Sequence, residues 1–175
     1  MNQAQCQLKY LSILGILMFL TFTGFSQGTE KAIGIRGGIT SGFEYRVFSG
    51  DQTSYRALLS ARREGLQLTG LKEFHKPAAI DGNPDFSFIY GLGAHAGFES
   101  WHKYYGYYEA DRYYSYRDRK TSPVVGLDAL AGIEYSIPDI PLVIGIEAKP
   151  FFNLFGKNFF QLQPFDFAFT VKYTF

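Results

Sequence analysis

The chain predicts an all-β fold, an eight-stranded antiparallel up-and-down β-barrel that crosses a membrane. Three observations lead there. Apolar and polar residues alternate with period two over segment after segment. The apolar face carries whole rings, whereas the polar face carries Gly, Ala, Ser and sparse charges, which suits a crowded interior better than open water. Strand counting gives an even number, with short and long connections on opposite sides.

The first element is not a strand. Residues 1–26 read as a cleavable signal peptide: Lys9 supplies positive charge, and "LSILGILMFLTFTGF" is an apolar run of roughly fifteen residues. The run is short for a membrane-spanning helix. Gly24 and Ser26 stand at the small-residue positions of a cleavage after Ser26. Residues 27–175 are then the barrel domain. Cys6, the single cysteine, precedes the apolar run, so it is no lipoprotein cysteine and the mature chain has no disulfide or thiolate chemistry.

"KAIGIRGGITSGFEYRVF" opens the barrel and reads either as one long strand or as two. A single-chain antiparallel barrel closes only with an even number of strands. A division at Ile39 to Gly42 gives strands near 31–39 and 42–49, and six more follow near 53–63, 66–76, 85–101, 123–137, 141–155 and 164–175. In "FSFIYGLGAHAGFES" the face of Phe86, Phe88, Tyr90 and Leu92 opposes Gly91, Gly93, His95 and Glu99. In "PVVGLDALAGIEYSI" Val125, Leu127 and Ile133 oppose Gly126, Asp128 and Glu134. In "LVIGIEAKPFFNL" Leu142, Ile144, Ile146, Ala148, Pro150 and Phe152 oppose Gly145, Glu147, Lys149 and Asn153. "FDFAFTVKYTF" alternates to the last residue. Lys72 breaks the pattern on the lipid face: it either snorkels or Gly70 marks a bulge that shifts the register.

Short connections ("SGDQT", "AIDGNPD", "IPDIP") fall on the side of both termini. The 39–42 turn, "RREG", the long 102–121 segment and "FGKNFFQLQP" fall on the other. Outer-membrane barrels have short periplasmic turns and longer outer loops.

The stretches "GFEYRVFSGDQTSYRALLSARREGLQLTGLKEFHKP", "YGLGAHAGF", "GIEYSIPDIPLVIGIEAKPFFNL" and "VKYTF" resemble the small eight-stranded outer-membrane barrels of the outer-membrane-protein X and A kind, in a form typical of Bacteroidetes. The resemblance implies an outer-membrane location among lipid and lipopolysaccharide, and the barrel assembly machinery as folding partner. It also implies that a terminal aromatic closes the signal read by that machinery, a role for Phe175 with Tyr173.

The inward face carries the cations Arg36, Arg46, Arg56, Arg62, Lys149 and Lys172, and the anions Glu44, Glu73, Glu99, Asp128, Glu134, Glu147 and Asp166. Unpaired buried charge is costly, so these residues are expected to form an ion-pair plug rather than a proton or ion path. His75, His95 and His102 lack metal-ligand spacing, and no cofactor is expected. Glu99, Ser100 and His102 lie close in sequence near the outer rim, where some small outer-membrane barrels act on lipid A as acyltransferases or deacylases. Strand neighbours point to opposite faces, however, and no Gly-x-Ser-x-Gly elbow occurs. A non-enzymatic, monomeric barrel is the expectation; a lipid-A enzyme and a narrow channel are the alternatives.

The net charge of +1 argues against a nucleic-acid partner. The 102–121 segment holds Tyr104, Tyr105, Tyr107, Tyr108, Tyr113, Tyr114 and Tyr116 among alternating charges. Tyrosine offers large, rigid, amphipathic contact area, which suits an outer ligand, sugar or protein. The same rings also suit a hairpin extending beyond the membrane.

Overall fold

A computed structural model describes residues 30–62, 65–109, 112–156 and 159–175, and for 107–109 and 112–114 the backbone alone. The leader read over 1–26 lies outside the described residues. Among the described residues ten strands form: β1 Lys31–Gly38, β2 Ser41–Phe48, β3 Thr53–Arg62, β4 Gly65–Pro77, β5 Phe86–Glu109, β6 Arg112–Ser136, β7 Leu142–Ala148, β8 Phe151–Phe155, β9 Gln161–Gln163 and β10 Phe167–Thr174.

They make eight staves of one closed ring. Neighbours in sequence pair antiparallel from β1 through β6. The lower part of β6 pairs with β7, β7 with β10, and β10 with β1, which closes the wall. Further along, β6 pairs with β8, and β8 with β9. The seventh stave is therefore β7 plus β8, interrupted at Lys149 and Pro150. The eighth is β9 plus β10, interrupted at residues 164–166. Each interruption contains a proline, which has no N–H to give to a ladder. The wall stays sewn across the gap: Ala129 N donates to Pro150 O at 2.9 Å, and Lys149 N to Asp166 O at 2.9 Å.

The segment 31–49 is thus two strands, joined at Ile39 and Thr40. At 102–121 the sequence left an outer binding loop and a hairpin extending beyond the membrane side by side, and the strands form the hairpin. Its described part is paired strand: β5 and β6 run together from Phe86↔Tyr135 to Glu109↔Arg112. Beyond Glu99, where β4 ends its pairing with β5, the two strands stand clear of the barrel as a hairpin.

Alternation sets the two sides of the wall. In β3 and β10 every second residue is buried. The exposed set is large and apolar: Phe43, Leu92 and Phe169 are 71%, 70% and 69% accessible. The buried set is charged: Arg36, Arg46, Arg56, Lys149 and Lys172 are at most 2% accessible. The inside is not uniformly polar, as the pattern had implied. Leu71, Ile89 and Leu130 form a buried apolar cluster on β4, β5 and β6, and Leu58 and Phe151 also point inward.

Both chain ends of the described barrel meet at one end, where Lys31 and Phe175 exchange backbone hydrogen bonds at 3.0 and 2.8 Å. At this terminal end run the connections 49–52, 78–85 and 137–141. Gly50, at φ +89°, supplies a backbone conformation that residues with a Cβ rarely adopt, and it closes the β2–β3 turn. The opposite end is uneven. The β1–β2 turn is low, whereas the β5–β6 hairpin rises far above it.

Candidate functional site

The lumen contains two zones. The first, running from the terminal end to the start of β8, is a continuous chain of ion pairs. Arg46 meets Glu134 at 2.8 Å and Glu73 at 2.9 Å. Arg56 meets Glu73 at 2.6 Å, Glu44 at 2.7 Å and Glu147 at 2.7 Å. Lys172 bridges Glu44 at 3.0 Å and Glu134 at 2.9 Å. Arg36 joins Glu147 at 2.7 Å to Asp166 at 3.4 Å. Lys149 joins Asp166 at 3.7 Å to Asp128 at 2.8 Å. Every one of these side chains is nearly inaccessible, and each charge lies beside an opposite one, the arrangement that makes a buried charge tolerable.

Hydroxyls and rings complete this zone. Thr40, in the low β1–β2 turn, donates its backbone N–H to Asp166 at 3.2 Å, and its hydroxyl lies 2.9 Å from the same oxygen. Arg36 reaches both the carbonyl of Thr40, at 2.6 Å, and its hydroxyl. The turn thereby caps the plug on the side where the wall is lowest. His95 spans Asp128 through Nδ1 at 2.7 Å and Asn153 Oδ1 through Nε2 at 3.0 Å. It stacks edge-on against Phe151. At the terminal end Ser54 lies 2.8 Å from His75 Nε2 and 3.1 Å from Glu73. That places the hydroxyl between ring and carboxylate, whereas a catalytic triad needs the ring in the middle.

Arg62 and Glu99, read from sequence as members of the same inward set, stand apart from this network. Both line the second zone, a cavity of about 330 Å³ at the mouth. Arg62 donates to Gln163 Oε1 at 2.9 Å and lies over the Phe151 ring at 5.1 Å. Glu99 is half-buried, with no ion pair among the described residues. Trp101, Gln161, Gln163 and Asn153 also line the cavity. Sequence reasoning had set Asn153 on the inward face but missed Trp101, Gln161 and Gln163. The signal was there in the parity of β5: continued past Glu99, the inward positions reach Trp101.

Above the mouth, the hairpin orders its tyrosines by register. Tyr105 stacks on Tyr116, directly opposite it, with centroids 5.2 Å apart. Tyr104 is 71% exposed on the other face. Tyr107 stands opposite Tyr114, and Tyr108 opposite Tyr113. Lys103 lies over the Tyr105 ring at 5.2 Å, and Lys120 pairs with Asp118 at 2.8 Å. From Ser100 to Glu109 on β5, and over the facing part of β6, the outer edges have no strand neighbour among the described residues. Charges along such edges discourage indiscriminate strand pairing.

Glu99, Ser100 and His102 all border the mouth cavity, but Glu99 stands in the inward register of β5 and Ser100 and His102 in the alternate one. The Ser100 hydroxyl lies 2.9 Å from that of Thr121, and the His102 ring meets the Arg117 guanidinium. Among the described residues no group of His, Cys, Asp and Glu is placed to hold a metal. Lys72 points outward with its Nζ 5.4 Å from the Phe74 ring. The β3–β4 register runs without a shift from Thr53↔Phe74 to Arg62↔Gly65, so Gly70 marks no bulge. At the chain end Tyr173 stacks on Phe175, centroids 6.3 Å apart, on the outer face.

No family model matches the chain, and no curated protein matches it. Among solved structures it is similar to the N-terminal β-barrel domain of Pseudomonas aeruginosa OprF, at 12% identity and a TM-score of 0.47, over 84% of this chain and 96% of that one. At those values the likeness says nothing about function.

Proposed function

We propose that this protein is an integral outer-membrane β-barrel that acts at the cell surface without catalysis. Its lumen is closed by the ion-pair chain, and the β5–β6 hairpin with the mouth beneath it is the interacting part. The observation that carries the reading is the inverted wall: large rings and aliphatic chains on the outside of a closed ring, charges on the inside. In hydrocarbon every backbone polar group must be satisfied internally, which a closed ring achieves and an open sheet does not. The short turns at the terminal end suit the periplasm, and the hairpin end suits the cell exterior. Lipid and lipopolysaccharide then surround the wall, the barrel assembly machinery takes Tyr173 and Phe175 as its signal, and the leader over 1–26 directs export. The working form is a monomer.

The test is topology in intact cells. The protein should fractionate with the outer membrane, and it should run at different positions on gels before and after boiling. Protease added outside should cut at Arg112, Arg117, Arg119 or Lys120 while the barrel strands survive. Labelling of a cysteine introduced at Tyr104 covers the case of a hairpin too compact to cut. Labelling or cleavage only in opened cells would invert the topology, and a soluble, boiling-insensitive protein would end the membrane reading.

A further inference from the structure

The mouth cavity differs in chemistry from the plug below it. Its lining offers a side-chain amide at Asn153, Gln161 and Gln163, one cation at Arg62, one anion at Glu99, and the indole of Trp101. An amide presents donor and acceptor together, which matches the hydroxyl group, itself donor and acceptor. A carboxylate accepts from two neighbouring hydroxyls, and a guanidinium donates to two. An indole face matches the C–H face of a pyranose ring. The two charges are opposite in sign, so the site has no net preference for an ionic ligand. At about 330 Å³ the cavity lies at the small end of the range for ligand pockets, about 300–1,000 Å³.

Three of the polar groups, Arg62, Gln163 and Asn153, are held in place before any ligand arrives. Arg62 is fixed between Gln163 and the Phe151 ring. Gln163 spends its oxygen on Arg62 and keeps its amide hydrogens. Asn153 spends one side of its amide on His95 and keeps the other. Trp101 shares its face of the hairpin with Lys103 and Tyr105, opposite Lys120 and Tyr116, so an aromatic track leads up from the cavity. Sugar-binding sites need such fixed amides and rings, because a floppy site loses affinity to ordering.

We infer that the mouth cavity is a saccharide-binding site, taking the neutral end of a glycan chain whose next units lie along the Trp101 and Tyr105 face of the hairpin. The inference deepens the surface-interaction reading above and rests on it, since that reading puts the mouth outside the cell.

The experiment titrates the full chain, refolded in detergent, with glucose, galactose, mannose, N-acetylglucosamine, cellobiose and chitobiose. Trp101 is the single tryptophan, so its emission reports the cavity directly, and isothermal calorimetry gives an independent reading. A saturable response to at least one neutral sugar is expected. Replacing Gln161 and Gln163 together by Leu should weaken it about ten-fold, roughly the loss of one or two hydrogen bonds, with the gel shift on boiling unchanged. No saturable response by either method would overturn the inference. So would an undiminished response in the double variant. Protein that shows the boiling shift but binds no sugar defeats this inference alone. Protein without the shift defeats the barrel reading, and the saccharide site falls with it.

Discussion

The two ends of the lumen share one wall and one rule of alternation, yet one is filled and the other is open. From the terminal end to the level of Lys149, inward side chains from all eight staves meet in the middle, and each cation touches a carboxylate from another stave. Above that level β1 and β2 have already turned at Thr40. The remaining strands rise around a space with too few inward residues to fill it. An eight-stranded barrel is just wide enough to be filled by its own side chains. Lose two strands from the circle, and the same alternation makes a pocket instead of a plug. The place where the ring loses strands therefore decides where the barrel is structural and where it can bind.

The comparison is broken most severely at Arg56. This guanidinium touches three carboxylates, whereas Arg62, one inward position above Ser60 on the same strand, touches a neutral amide. Arg56→Ala takes one cation from each of Glu44, Glu73 and Glu147, leaving them to Lys172, Arg46 and Arg36 alone, and should lower stability by about 3–5 kcal/mol. Arg62→Ala should lower it by less than about 1 kcal/mol. Urea unfolding in lipid or detergent measures both, and equal losses would mean that the plug is not the stabilising zone. In planar bilayers the purified wild type should give no stable porin-like steps. Reproducible large steps would show that the filled zone conducts.

The boundary between the zones is tested at Gly126. A Cβ there would press on the Phe152 carbonyl and come within 2.5 Å of His95 Cε1. Gly126→Ala must displace the ring that spans Asp128 and Asn153, and should destabilise by about 1–3 kcal/mol. At Gly37 a Cβ meets nothing within 4 Å, so Gly37→Ala should be neutral or stabilise by up to about 1 kcal/mol. Similar effects at the two glycines would count against the packing around His95.

Alternation made the wall legible from sequence, down to the outward Phe167 and Phe169 and the inward Thr170 and Lys172. Which charges meet was not legible, because partners come from staves far apart in the chain: Arg36 and Glu147 are 111 residues apart. Height was not legible either. Period two says which side of the wall a residue faces, but not how many strands surround it at that level. For that reason Arg62 and Glu99 looked identical to the plug residues. The break at Pro150 was hidden because proline keeps the outward place that alternation assigns it. Inward Leu71, Ile89 and Leu130 were overlooked because a polar interior was assumed throughout, although three apolar chains on adjacent staves satisfy one another without any hydrogen bond.

The terminal residue contributes to the ring through its backbone and to the outer face through its ring. Phe175→Ala leaves the hydrogen bonds with Lys31 intact and removes one partly exposed ring that stacks on Tyr173. Stability in detergent should fall by less than about 1 kcal/mol, the scale of a single aromatic pair, while the amount reaching the outer membrane should drop several-fold. Normal membrane levels would remove the assembly role from Tyr173 and Phe175.

The smallest effect is expected at Lys72, and it sharpens the comparison by moving from the lumen to the other side of the wall. Lys72 neighbours Leu71, whose cross-strand partner is Arg56, so the two cations sit at nearly the same height. Arg56 faces inward to three carboxylates. Lys72 faces outward, with the Phe74 ring as its described companion. On the lipid face a lysine destabilises a barrel by about 2–4 kcal/mol at the midplane and by about 0–1 near the interface. Its strand partner Tyr55 is the third residue of β3, close to the terminal end, and Phe74 lies on the side toward that end. The ammonium therefore leans toward the headgroups. Lys72→Leu should stabilise the folded barrel by no more than about 1 kcal/mol in lipid, and by less in detergent micelles, which adapt to the charge. A gain of several kcal/mol would place Lys72 at mid-bilayer and shift the membrane toward the terminal end. A loss would mean that the ammonium makes contacts with headgroups that leucine cannot replace.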